Sequence, residues 1–175
     1  GTPMPSFALK DVVSAREYSP LSFPGAAGLL VAFICRHCPY VVHMRDELAE
    51  ISREFLPKGV STVAICSNDA MAYPEDAPAR LAEMAGHLPF PLLYDEDQDV
   101  AKAFGAVCTP DIFLYDSGGK LFYRGRLDDS SPGNGKPVTG HDLRQAIQAL
   151  LAGNPSPQVQ HPSIGCSIKW KKAGT

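Results

Sequence analysis

Apolar side chains fill both alternating sets of positions over residues 29–35, Leu29-Leu30-Val31-Ala32-Phe33-Ile34-Cys35. A strand apolar on both faces belongs at the centre of a sheet covered on both sides. Residues 60–66 predict a second buried strand. Between the two the period changes, because Val41, Val42, Leu48, Ile51 and Phe55 recur at helical spacing from Pro39 onward. Proline suits the first turn of a helix, where its missing N–H would be unpaired anyway. Pro57 and Gly59 end the pattern. Strand, helix and strand in this order predict a parallel pair with a right-handed crossover.

The flanking elements are shorter. Residues 6–13 alternate weakly and predict a strand, with 17–21 pairing back on it as a hairpin. Pro24, Gly25 and Gly28 mark 22–28 as a turn. Residues 74–76 are expected to lead into a helix through Leu81, Met84 and Leu88, followed by an extended piece over 90–94. Another short helix is expected over 98–104, closed by Gly105. Residues 112–116 and 121–126 read as two strands joined by Ser117-Gly118-Gly119-Lys120, a hairpin signal. A Gly-, Pro- and Ser-rich loop fills 127–140, and 141–151 is the last helix. Residues 152–175 form a tail without strong periodicity, and no internal repeat is visible. The expectation is one α/β domain over 1–175, a mixed central sheet flanked by helices with an N-terminal hairpin, a mid-chain helical insertion and a C-terminal tail.

The chain has 175 residues and a net charge of −3, with no basic stripe to suggest a nucleic-acid partner. No apolar run approaches the roughly 20 residues of a membrane span. No basic segment followed by an apolar stretch opens the chain, so a cytoplasmic setting is expected. Five cysteines, Cys35, Cys38, Cys66, Cys108 and Cys166, make one close pair and three singles. That fits a reducing compartment with one working pair better than a secreted disulfide scaffold.

Cys35-Arg36-His37-Cys38 is a C-x-x-C at the junction of the predicted central strand and helix. A helix N-terminus stabilises a thiolate, the species that attacks disulfides. Cys35 is expected to be the exposed nucleophile, and Cys38, inside the first turn, the resolving thiol. Arg36 and His37 are expected to place positive charge near the thiolate. Thr109-Pro110 precedes a predicted strand, where a proline belongs at the strand start. Cys66 ends an apolar strand and reads as a buried inert thiol, whereas Cys108 and Cys166 are possible accessory redox thiols. Asp69 and Arg126 are candidates to tune Cys35, and His87, His141 and His161 read as surface or capping residues.

Further segments carry a resemblance. Gly1-Thr2-Pro3-Met4-Pro5-Ser6-Phe7-Ala8-Leu9 looks like the entry strand of the AhpC/TSA and redoxin group. Phe33-Ile34-Cys35-Arg36-His37-Cys38-Pro39-Tyr40-Val41 resembles the F-x-C-x-H-C-P-Y-V signature of a related thioredoxin-like subfamily. Ser67-Asn68-Asp69, Cys108-Thr109-Pro110-Asp111, Tyr123-Arg124-Gly125-Arg126 with Asp128-Asp129, and Gly165-Cys166-Ser167-Ile168-Lys169-Trp170 also match it. The resemblance implies a thioredoxin fold and thiol-based oxidoreductase or antioxidant activity. It also implies a cis Thr109–Pro110 peptide facing the C-x-x-C, with the Thr109 backbone available to an extended substrate. The peroxidatic pattern P-x-x-x-[T/S]-x-x-C of the wider group is missing, since Gly28 and Ala32 stand where it needs proline and a hydroxyl before Cys35.

The reading that follows is a thiol–disulfide oxidoreductase acting on a protein or small-molecule disulfide and reset by an external thiol reductant. No Gly-rich phosphate loop appears, so no cofactor is expected. The alternatives are a peroxiredoxin-like thiol peroxidase, and a Cu(I) or Zn binder using Cys35, Cys38 and soft neighbours such as His43 and Met44. No second C-x-x-C or H-x₃-H accompanies the first, so no metal site is expected.

Overall fold

The computed structural model describes residues 1–23 and 26–172. Its elements are β1 (Leu9–Lys10), β2 (Glu17–Tyr18), β3 (Gly28–Phe33), α1 (Pro39–Phe55), β4 (Val60–Cys66), α2 (Pro78–Ala85), β5 (Leu92–Tyr94), α3 (Asp99–Phe104), β6 (Cys108–Thr109), β7 (Asp111–Asp116), β8 (Leu121–Gly125), α4 (His141–Leu151) and β9 (Cys166–Ser167). Pro24 and Gly25, at the heart of the turn expected over 22–28, lie outside the described residues.

Five strands form the central sheet in the order β5-β4-β3-β7-β8. β3 runs parallel to β4, and β4 parallel to β5. β7 is antiparallel to β3, and β8 to β7. The short extended piece expected over 90–94 is therefore the parallel edge strand of the sheet, reached through α2.

β3 lies at the centre, which is why its sequence is apolar at both parities. Leu30, Ala32 and Ile34 share one cluster with Val41, Met44, Leu48 and Ile51 of α1, Leu81 of α2, and Leu143 and Ile147 of α4. Leu29, Val31 and Phe33 face the other way, toward Phe7, Val100 and Phe104. Phe104 of α3 meets Phe33, Phe113 and Tyr115 edge-on at centroid separations of 5.4, 5.6 and 5.9 Å. Such pairs add to plain burial because the positive ring edge meets the negative face.

The N-terminal hairpin is smaller than the pattern suggested, two residues on each side. Asp11 stops it. Its carboxylate accepts hydrogen bonds from the Ser14 N–H and hydroxyl and from the Leu92 N–H, while the Val12 N–H donates to Leu92 O at 2.9 Å. The hairpin thereby covers the exposed edge of β5, as sheet edges require.

The tail departs most from its sequence pattern. It supplies β9, which pairs antiparallel with β6. Its Ile168 is only 3% exposed and sits in the second cluster with Phe7 and Phe33. Two-residue strands carry no readable period, and neither β6 nor β9 was expected.

Candidate active site

β3 ends at Phe33, although the Ile34 N–H still donates to Ile65 O at 2.9 Å. Cys35, Arg36 and His37 form the turn that follows. Cys38 is the N-cap of α1, with φ −60° and ψ 122°, and is not inside the first turn as expected. Pro39 decides this. Its ring excludes the helical conformation for the preceding residue, so the helix starts at Pro39 itself. The Cys38 carbonyl then accepts from the N–H groups of Val41 (2.9 Å) and Val42 (3.0 Å).

Both thiols are buried, Cys35 at 4% and Cys38 at 5% exposure. This corrects the expectation of an exposed Cys35. Cys35 Sγ lies 3.4 Å from Thr109 Oγ1, and the Cys38 thiol donates to Thr109 O at 3.1 Å. On ionisation the Cys38 sulfur becomes the acceptor. The Cys35 thiol donates to it, and despite opposing burial the further donors, Cys166 through side chain and N–H and the Thr109 hydroxyl, bring it down to about 4. Cys35 is pushed up by that same shared hydrogen bond and by burial. The hydrogen bond between them makes the pair give up its first proton readily and its second with difficulty.

Arg36 and His37 do not bring the expected positive charge to the thiolate. The Arg36 guanidinium pairs with Glu75 at 2.6 Å and Glu83 at 2.9 Å, and His37 Nε2 meets Glu75 at 2.7 Å. Both side chains are drawn toward the acidic residues around α2. A carboxylate the sequence did not single out holds the motif's backbone. Asp76 is buried, accepts from the Arg36 N–H at 2.8 Å and from Asn68 Nδ2 at 3.0 Å, and its charge helps raise Cys35. It fixes the backbone of the motif from 40 positions away, with no local signal.

The Thr109–Pro110 peptide is cis. The Thr109 backbone is not open to a partner, because β9 already pairs there, with Thr109 opposite Cys166 and Cys108 opposite Ser167. Gly165 makes the approach feasible. A Cβ on it would lie 2.0 Å from Thr109 O. Beyond β9 the tail is pinned by polar bonds. The Lys169 N–H donates to Asn68 Oδ1 (2.9 Å), Lys169 O accepts from the Asp69 N–H (2.8 Å) and Gln98 Nε2 (3.0 Å), and the Lys171 N–H donates to Gln98 Oε1 (2.9 Å).

The other candidates sort by position. Cys166 is partly buried and packs on the cluster that contains Cys35 and Cys38. Cys108 alternates to the opposite side of its strand, toward Pro110 O at 3.5 Å, and burial raises it to about 11, so it stays a thiol at neutral pH. Cys66 is fully buried and raised by that burial, the expected inert thiol. Asp69 folds onto the Met71 N–H, and Arg126 pairs with Asp142 at 2.6 Å, so neither is committed to Cys35. His43 Nε2 meets Ser130 Oγ at 2.9 Å, and Met44 is buried in the core. The His141 N–H donates to Thr139 Oγ1, and His161 lends its carbonyl to the Arg126 N–H. His87 lines a surface groove beside α1. Among the described residues, no three His, Cys, Asp or Glu side chains have the arrangement to hold a metal ion, and no helix is long and apolar enough to cross a membrane.

Known proteins carry the same fold. An uncharacterized conserved protein from Geobacillus kaustophilus is 49% identical, with 99% of this chain and 93% of that one covered at a TM-score of 0.96. A hypothetical protein from Sinorhizobium meliloti 1021 is 46% identical, with 99% and 95% covered, also at 0.96. A thiol:disulfide interchange protein of the thioredoxin family from Chlorobium tepidum is 18% identical, with 86% and 96% covered at 0.66, a likeness of fold. The chain has no match among curated proteins. The Redoxin family profile matches residues 1–142, which takes in the central sheet, the C-x-x-C and the cis-proline loop. On that match, carried by a thioredoxin fold, the chain belongs to the Redoxin family.

Proposed function

We propose that the protein is a thiol–disulfide oxidoreductase working through Cys35 and Cys38. One observation carries this reading: two thiols three residues apart at the start of α1 both meet Thr109 of the cis-proline loop, Cys35 Sγ 3.4 Å from its hydroxyl and the Cys38 thiol 3.1 Å from its carbonyl. A thiolate with a second thiol three residues away has what exchange needs, an attacking sulfur and a resolving one. Membership of the Redoxin family and the fold shared with a thiol:disulfide interchange protein support the same chemistry.

Cys38 is fixed as the helix cap, whereas Cys35 lies in the turn ahead of it, so Cys35 meets the substrate. Its proton passes to Cys38 across the bond they share. The Cys35 sulfur then attacks one sulfur of the substrate disulfide, and the other leaves as a thiolate. Cys38, giving up its proton to that leaving group, attacks Cys35 in the mixed disulfide and releases the substrate dithiol. An external thiol returns two electrons to the Cys35–Cys38 disulfide. The substrate is a disulfide-bearing protein or small molecule.

The test is turnover of a disulfide-bonded protein by enzyme recycled with dithiothreitol. Wild type is expected to turn over, Cys35→Ser and Cys38→Ser to lose turnover, and Cys38→Ser to trap a mixed disulfide on Cys35. A double Cys35→Ser/Cys38→Ser variant that keeps the wild-type rate would sink the reading.

A further inference from the structure

The tail brings a third thiol to the pair. In the β6–β9 ladder Thr109 stands directly opposite Cys166, and directly opposed residues of an antiparallel pair project to the same side. Thr109 turns its hydroxyl to Cys35 and its carbonyl to Cys38. Cys166 shares that side and packs on the cluster holding both cysteines. The anchoring is built for this placement. Ile168 is buried in the core, Asn68 and Gln98 bind the backbone at 169–171, and Gly165 passes so close to Thr109 O that no side chain fits. Cys108, one position along the ladder, turns its thiol to Pro110 O instead.

We propose that Cys166 is a third redox thiol that exchanges with the oxidised Cys35–Cys38 pair, an inference that rests on the exchange reading above. The Cys166 thiolate attacks the Cys38 sulfur of the Cys35–Cys38 disulfide. A Cys38–Cys166 bond forms, the Cys35–Cys38 bond breaks, and Cys35 leaves as a thiolate. One disulfide replaces another, so no oxidant or reductant is consumed. In the reduced protein Cys166 is raised chiefly by its hydrogen bond with Cys38, while Lys169 pulls the other way. Once Cys38 is in a disulfide that opposing charge is gone, and Cys166 ionises more easily when it is needed as the attacker. The exchange carries the oxidised sulfur from a pair walled in by β6 and β9 to a partly exposed residue on the tail, where an external thiol can attack it. It also frees Cys35 for a second substrate.

The chain makes the test clean. Trypsin cleaves after Arg36, between the paired cysteines, so Cys35, Cys38 and Cys166 fall on separate peptides, 17–36, 37–45 and 145–169. The reduced protein is treated with one equivalent of a small aromatic disulfide, acid-quenched, alkylated with N-ethylmaleimide and digested. Monomer isolated by size exclusion is used, so that any link is within one chain. The expected result is peptide 37–45 linked to 145–169 alongside 37–45 linked to 17–36, and in Cys35→Ser the first link alone. If 37–45 links only to 17–36, and Cys166 stays alkylated in wild type and in Cys35→Ser, the third-thiol proposal is overturned while the pair's reading stands. If 37–45 forms neither link, the exchange reading itself fails, and this proposal with it.

Discussion

Replacing Gly165 by alanine tests whether the tail gates the pair. The new Cβ would lie 2.0 Å from Thr109 O, 2.6 Å from Thr109 C and 3.1 Å from Pro110 N. All three are backbone atoms, so no flexible side chain is there to give way. Relief needs a retreat of roughly 1.5–2 Å to reach ordinary non-bonded separation. Hydrogen bonds between β9 and β6 do not survive a shift of that size, since they weaken steeply beyond normal geometry. One or two such bonds contribute about 1–3 kcal/mol net. At tenfold per 1.4 kcal/mol, the lifted form of the segment should gain roughly 5- to 150-fold in population. Ile168 and the polar bonds to residues 169–171 keep the rest of the tail docked. The assay is pulsed alkylation of the reduced protein followed by digestion. The rate at Cys35 and Cys38 should rise by the same factor, while Cys66, fully buried in β4, stays protected. A rate at the pair unchanged within about twofold, with Cys66 still protected, would refute the gating argument. A matching rise at Cys66 would mean global loosening and refute it equally.

Three further outcomes are expected. Cys35→Ala removes the main donor to the Cys38 thiolate, so Cys38 should titrate well above its value of about 4, as followed by thiolate absorbance. Burial raises the Asp128 carboxylate, yet hydrogen bonds from the Ser130 hydroxyl and from the N–H groups of Gly140, Ser130 and Thr139 outweigh it and hold the group below its ordinary range. A depressed carboxylate stabilises the fold fully above its unfolded value of about 4 and loses that contribution as pH falls through the folded value. Wild type should therefore lose urea stability more steeply than Asp128→Asn on acidification below about pH 4, and parallel curves would count against the role given to Asp128. Phe104→Ala empties the centre of the aromatic cluster and should cost about 3–5 kcal/mol by urea titration.

The central βαβ unit was legible because each element carries its own pattern. β4 and α4 run over the expected residues, and α1 starts at Pro39, since long buried or amphipathic segments state their period locally. α2 ended early, at Ala85 and not near Leu88, where Gly86 caps it. The C-x-x-C was legible as a motif, but its electrostatics were not. Arg36 and His37 look like a cationic setting in sequence, yet Glu75 and Glu83 claim them from far along the chain. Asp76, Asn68 and Gln98 carry no motif at all, because their roles consist of partners that only folding supplies.

The sequence by itself determined the sheet, the helices and the strand–helix junction that holds two thiols three residues apart. Those follow from local apolar period and from proline chemistry, which act over a few residues. Only the tertiary structure decided that both thiols are buried, that both meet Thr109, and that Cys166 joins them. The last of those rests on β9 meeting β6 across more than fifty residues of chain. A two-residue strand has no period of its own, so nothing in the tail's sequence states where it docks until the Thr109 edge is there to receive it.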